Sequence, residues 1–135
     1  MVIDTSALMA VLLGEPERNT FEELIARCDA PVVSVVSVVE VSLVLHGRRP
    51  TYDPRYLDDF LEQLGIEVIS VDGEQGKIAR DAFRRFGRGQ HPARLNFGDC
   101  FSYAAAKALS VPLLFKGEDF SRTDVQVAWR PTVQQ

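Results

Sequence analysis

At 135 residues, with 46% hydrophobic and 25% charged side chains, the chain has the size and apolar content of one self-supporting domain, which excludes the fibrous and disordered classes. Its formal net charge of −4 excludes nucleic-acid binding by bulk attraction and leaves that role to local basic patches or bound cations. Two cysteines without paired spacing, Cys28 and Cys100, suggest neither a disulfide framework nor a thiolate metal site. The first apolar run is too short for a bilayer and has no basic leader, so a cytoplasmic protein without a membrane partner is expected.

Residues 2–4 read as a short strand, followed by a helix over 6–13 closed by Gly14, with Thr5 and Ser6 as its caps. Pro16 suits a first helical position, and Phe21, Leu24, Ile25 and Cys28 then recur at helical spacing. Residues 31–34 form a second strand. In "SVVSVVEVSLVLHG" the valines favour a strand, but the length and the Ser37–Glu40 capping-box pattern predict a helix over 37–47. Asp53-Pro54 opens another helix, whose Tyr56, Leu57, Phe60, Leu61 and Leu64 form one stripe ended by Gly65. "IEVISVDG" is a strand running into a capping box at Asp72, and an amphipathic helix spans 73–86. "NFGDCFSYAAAKAL" is an alanine-rich helix, "VPLLF" a strand, and residues 125–129 one more short strand. Strand and helix in alternation imply an α/β fold of three layers, with a central parallel sheet flanked by helices, in one domain over residues 1–135.

In such sheets ligands bind beyond the carboxyl ends of the strands. Acids recur there: Asp4 ends the first strand, Glu40 begins the helix after the second, Asp99 opens the alanine-rich helix, and Asp119 follows "LLFKGE". Each alone is an ordinary capping residue, favoured by the helix dipole by roughly 0.3–1 kcal/mol. Together they repel, by about 4 kcal/mol per close pair at an effective dielectric of 20. A cation relieves that repulsion. Without cysteine pairs or a His-x-x-x-His spacing, the donor set suits a hard, oxygen-liganded ion, Mg²⁺ or Mn²⁺, with Asp4 and Asp99 as metal ligands and Glu40 beside them, bound directly or through water. Metal-activated water attacking a phosphodiester needs acids and metal but no histidine. The cation would also reconcile an acidic protein with an anionic substrate.

"MVIDTSALMAVLLGEPE", "SVVSVVEVSLVL" and "LNFGDCFSYAAAKALSVPLLFKGEDFSRTD" together resemble the PIN-domain toxins of bacterial VapBC toxin–antitoxin modules, over essentially the whole chain and in the family's order. The resemblance implies a PIN-like fold and a metal-dependent endoribonuclease. It implies a VapB-like antitoxin as partner, a homodimer, and a structured RNA such as transfer or ribosomal RNA as substrate. It makes Asp4, Glu40 and Asp99 the acidic core and Asp119 the fourth member, in a segment where relatives carry an acid and a hydroxyl at the positions of Phe115 and Gly117. It gives Asp72 no catalytic role. Ser6 and Asn96 are placed to support the carboxylates by hydrogen bonds.

Between positions 77 and 94 basic residues gather, and Arg80, Arg84, Arg85, Arg88 and Arg94 are candidates for gripping an RNA backbone, the alternative being a solvated helix face. His46 and His91 stand alone, without partners for general-base catalysis. Three other readings compete: a DNA or general processing nuclease, a non-catalytic RNA- or protein-binding domain whose acids are caps, and a phosphate-receiver domain using Lys116.

Overall fold

The computed structural model describes residues 1–132. A parallel sheet has the order β3-β2-β1-β4, formed by β1 (Val2–Ile3), β2 (Val32–Ser34), β3 (Glu67–Ile69) and β4 (Leu113–Leu114). Val2 pairs with both Val32 and Leu113, and Ser34 with Ile69. Because successive strand side chains point to opposite faces, Val2, Val32 and Leu113 serve one core while Ile3, Val33 and Leu114 serve the other. The first core is completed by α5 (Gly73–Phe86) and α6 (Phe97–Leu109). The second is completed by α1 (Thr5–Leu12), α2 (Arg18–Arg27), α3 (Val35–Arg48) and α4 (Arg55–Gln63). The three-layer expectation is met. Each fully buried Val, Ile or Leu of these strands contributes roughly 1.5–3 kcal/mol, which is how strands of two or three residues hold their place.

Several expected boundaries shift. A helix does replace the valine-rich strand reading, but it starts at Val35 rather than Ser37, and its cap is Ser34, whose hydroxyl accepts from the Val36 N–H at 3.3 Å. The Ser37–Glu40 capping box does not form, because Ser37 is fully buried inside the helix and its hydroxyl meets Ser102 instead. The first helix is likewise capped by Asp4, not by Thr5 or Ser6. At Asp72 only half of a capping box forms: Asp72 accepts from the Gln75 N–H at 2.8 Å, while the Gln75 amide donates to the Ser70 carbonyl. The tail is a single parallel bridge between Val127 and Leu113 rather than a strand over 125–129. Beyond it Trp129 turns to the other face, packing edge-on against Phe21 at 5.2 Å.

Pro16 lies in the turn before α2, which starts at Arg18 rather than at the proline. Helix α5 has the expected bounds, and α6 ends at Ser110 in the left-handed conformation. All four strands are parallel, so β1, β2 and β4 deliver their following residues to one edge of the sheet.

Candidate active site

Asp4 leaves β1 with extended backbone, and its carboxylate caps α1. It is 3% exposed, a position a carboxylate holds only when its oxygens have partners. Oδ2 accepts from the Ser6 N–H at 3.0 Å and from the Ser6 hydroxyl at 2.7 Å; Oδ1 accepts from the Ser102 hydroxyl at 2.5 Å. Ser6 also accepts from the Lys116 N–H at 3.0 Å, which ties the chain after β4 to the chain after β1. Cap and site residue are therefore not alternatives at Asp4: the capping geometry is what holds its carboxylate at the sheet edge.

Glu40 projects from the second turn of α3 and accepts from the Thr5 hydroxyl at 2.8 Å. Its pKa is raised by burial, partly offset by the Thr5 hydrogen bond and reinforced by the charge on Asp4. Asp99 stands in the first turn of α6 within a reciprocal capping box: it donates its N–H to Asn96 Oδ1 at 2.9 Å, and its Oδ2 accepts from the Asn96 N–H at 3.0 Å. Burial pushes Asp99 up to about 6 against the lowering effect of the Asn96 N–H, with Asp4, Asp119 and Glu40 adding repulsion. Asp99 thus has the other three acids as like-charged neighbours. Asp119 is exposed and starts a 3₁₀ turn, Phe120–Arg122, without a side-chain capping bond.

Sequence reading missed Gly98. A Cβ built there would overlap the Glu40 carboxylate, so the missing side chain leaves room for that carboxylate to lie against the first turn of α6 beside Asp99. It also missed Ser102 and Ser37, fully buried and joined by their hydroxyls at 3.2 Å. Their signal was present as spacing: Ser102 is three residues after Asp99 and Ser37 three before Glu40, so each shares a helix face with an acid.

The donor set is all carboxylate and hydroxyl oxygen, and among the described residues none of the four acids has a salt bridge. Hard divalent cations suit those donors. Among the described residues no three acidic, His or Cys side chains close on one point as they stand. Glu40 is turned onto Thr5 and Asp99 onto the Asn96 N–H.

Of the basic candidates, Arg84 pairs with Asp81 at 2.7 Å, and Arg85 bridges Asp81 and Asp124, both at 3.5 Å. Arg80, Arg88 and Arg94 are exposed and make no salt bridge among the described residues. Lys116 is engaged by Glu15 at 3.0 Å and Glu17 at 3.2 Å, so it does not reach the acids as a receiver-domain lysine would. His91 accepts from the Ala93 N–H through Nδ1 and shapes its own loop. No helix among the described residues is long and apolar enough to cross a membrane.

The sequence model of the PIN domain matches residues 1–126. The chain is 46% identical over 125 residues to Ribonuclease VapC of Mycolicibacterium smegmatis, covering 93% of this chain and 97% of that protein. It is 43% identical over 131 residues to Ribonuclease VapC30 of Mycobacterium tuberculosis, covering 97% of this chain and 100% of the relative. Among solved structures, the sarcin-ricin loop cleaving toxin VapC20 of Mycobacterium tuberculosis superposes with a TM-score of 0.74 at 21% identity, over 96% of this chain and 98% of that one. A toxin-antitoxin complex from Klebsiella pneumoniae gives 0.71 at 16% identity, over 96% and 98%. With the fold, the acid cluster and these relatives in agreement, the chain belongs to the VapC ribonucleases of the PIN-domain family.

Proposed function

We propose that this chain is the toxin of a toxin–antitoxin pair, a metal-dependent endoribonuclease that hydrolyses RNA phosphodiester bonds with Asp4, Glu40, Asp99 and Asp119 as its catalytic acids. One observation carries the reading of the site: four carboxylates share one sheet edge and have no cationic side chain to neutralise them among the described residues. A structural role would pair such acids; a catalytic one leaves them for a cation and an anionic substrate. The ribonuclease relatives support the reaction class. Mg²⁺, with Mn²⁺ as a substitute, suits the donors and when bound supplies an acidified water and positive charge opposite the scissile phosphate.

The chain's own residues do the rest. Asp4, its carboxylate fixed by Ser6 and Ser102, and Asp99, once deprotonated, would hold the cation. With a pKa near 6, Asp99 makes that loss easy at neutral pH and costly in acid. Glu40, steadied by Thr5, is the base that receives the proton of an attacking water. Asp119, at the exposed rim, assists through water. Arg80, Arg88 and Arg94, exposed and without salt bridges among the described residues, would take RNA phosphates, which an acidic chain needs local cations to attract.

The excess of negative charge also suits a basic side chain of an antitoxin, which would inhibit by occupying the cation's place; toxin-antitoxin complexes sharing this fold support such a partner. Val35, Val39 and Leu43, spaced four apart on α3, leave an exposed apolar stripe beside the site, which supports a homodimer. A single domain acting in the cytoplasm on transfer or ribosomal RNA is consistent with this composition.

The test is cleavage of a mixed cellular RNA pool by the purified chain, with Mg²⁺ or chelator, beside Asp4→Asn. Discrete fragments that require both the metal and Asp4 are expected. Equal cleavage by Asp4→Asn would overturn the mechanism.

A further inference from the structure

We infer that Ser37 and Ser102 form a buried hydroxyl relay that positions the Asp4 carboxylate, an inference that rests on the proposed role of Asp4. Three features carry it. Direction comes first. A carboxylate only accepts, so the Ser102 proton is committed to Asp4 Oδ1 at 2.5 Å, and Ser37, 3.2 Å from Ser102 Oγ, must be the donor to it. The order Ser37 to Ser102 to Asp4 is therefore fixed by valence.

Burial comes second. Ser37 and Ser102 are fully buried, and a buried hydroxyl is tolerated only when paired. Packing alone would not call for serine at position 102. Ala104, Ala105 and Ala106 on the same helix show that alanine fills this layer, and alanine is the better helix former. The hydroxyl at this position has Asp4 as its purpose.

Placement is the third. Ser37 lies three residues before Glu40 on α3, and Ser102 three after Asp99 on α6, while Asp4 closes β1. The relay thus links the three elements that carry the three acids. Ser6 already holds Oδ2 through two donors, so Ser102 completes a three-point grip and leaves acceptor capacity on Asp4 for a ligand. Ser102 and Ser37 are positioning residues in this arrangement.

The experiment compares Ser102→Ala, Ser37→Ala, the double variant and Ser102→Thr with the parent. It measures kcat and KM for RNA cleavage, Tm without metal, and the rise in Tm on adding Mn²⁺ without RNA. Ser102→Ala should lower kcat about 10- to 100-fold with KM little changed, and should shrink the Mn²⁺-induced rise in Tm. Ser102→Thr keeps the hydroxyl and should recover most of both. Ser37→Ala should lose less, and the double variant should be no worse than Ser102→Ala, since Ser37 acts through Ser102. Parental kcat with a lowered Tm in Ser102→Ala, or additive losses in the double variant, would overturn the relay and leave Ser102 as packing. Should Ser102→Ala not fold, Ser102→Cys, of the same shape with a poor donor, takes its place with the same expectations. A parent that cleaves no RNA defeats the functional reading instead, and the Mn²⁺ response then decides the relay alone: an unchanged response in Ser102→Ala overturns it.

Discussion

Asp124 and Asp99 both face helix α6, one from the chain after the 3₁₀ turn and one from the helix's own first turn, and they are treated in opposite ways. Around Asp124 burial pushes the pKa up, but the Tyr103 O–H at 2.6 Å, Lys107 at 3.3 Å and Arg85 at 3.5 Å outweigh it and hold the carboxyl below its usual range. Around Asp99 burial acts in the same direction, the one opposing contact is the Asn96 N–H, and the other neighbours are three more acids. One cluster is neutralised by the protein and needs nothing further. The other is left in surplus of negative charge, and under the proposed function a bound cation would supply what is missing. A carboxylate's environment, rather than its presence at a helix start, separates a structural acid from a functional one.

The largest effect that can break this comparison is an exchange of the same kind at both regions. Asp4→Asn should reduce RNA cleavage by roughly three orders of magnitude or more, with Tm nearly kept, because asparagine is a good cap and Ser102 can turn to accept from its amide. Asp124→Asn should do the reverse, lowering Tm by an amount corresponding to about 1 kcal/mol, discounted for its exposure, with cleavage unchanged. Loss of cleavage in both, measured on the same RNA, would erase the distinction.

A smaller effect sharpens the acid side. Gly98→Ala should lower kcat about tenfold or more by displacing Glu40, while Tm holds or rises, since a flexible carboxylate end moves cheaply and alanine favours the helix. Parental kcat in a crystal-verified Gly98→Ala would show that the placement of Glu40 beside Asp99 is dispensable.

The smallest effect is on stability against pH, read in the presence of chelator. Folded Asp99 keeps its proton to about pH 6, whereas the unfolded chain releases it near the ordinary 3.8, so between these values the folded state binds more protons. Its contribution therefore falls as pH rises from about 4 to about 6 and stays low above. Asp99→Asn should accordingly raise Tm at pH 7.5 and leave it unchanged at pH 4. A parallel shift at both values would show that Asp99 is not strained by its neighbours.

Much of the candidate site's arrangement was legible in the chain because strand ends and helix starts place acids by local rules. Asp4, Asp99 and Asn96 sit where capping chemistry puts them, and period-two and helical patterns sufficed for the parallel three-layer fold. Glu40 was legible as an acid after the second strand but misread as half of a capping box, because Ser34 and Ser37 are equally good caps in isolation. Pairing of β2 with β1 and β3 carries the strand through Ser34, and burial of Ser37 against α6 then decides between them. The roles of Arg85 and Lys116 depended in the same way on partners distant in the chain, Asp124 and Glu15. By itself, then, the sequence determined the order of elements and which acids stand at their ends, since those follow from periodicity and capping within a few residues. Tertiary structure alone decided which acids lack counter-charges, that Gly98 makes room for Glu40, and that two serines 65 positions apart meet beneath Asp4, because contacts between packed elements leave no local signature.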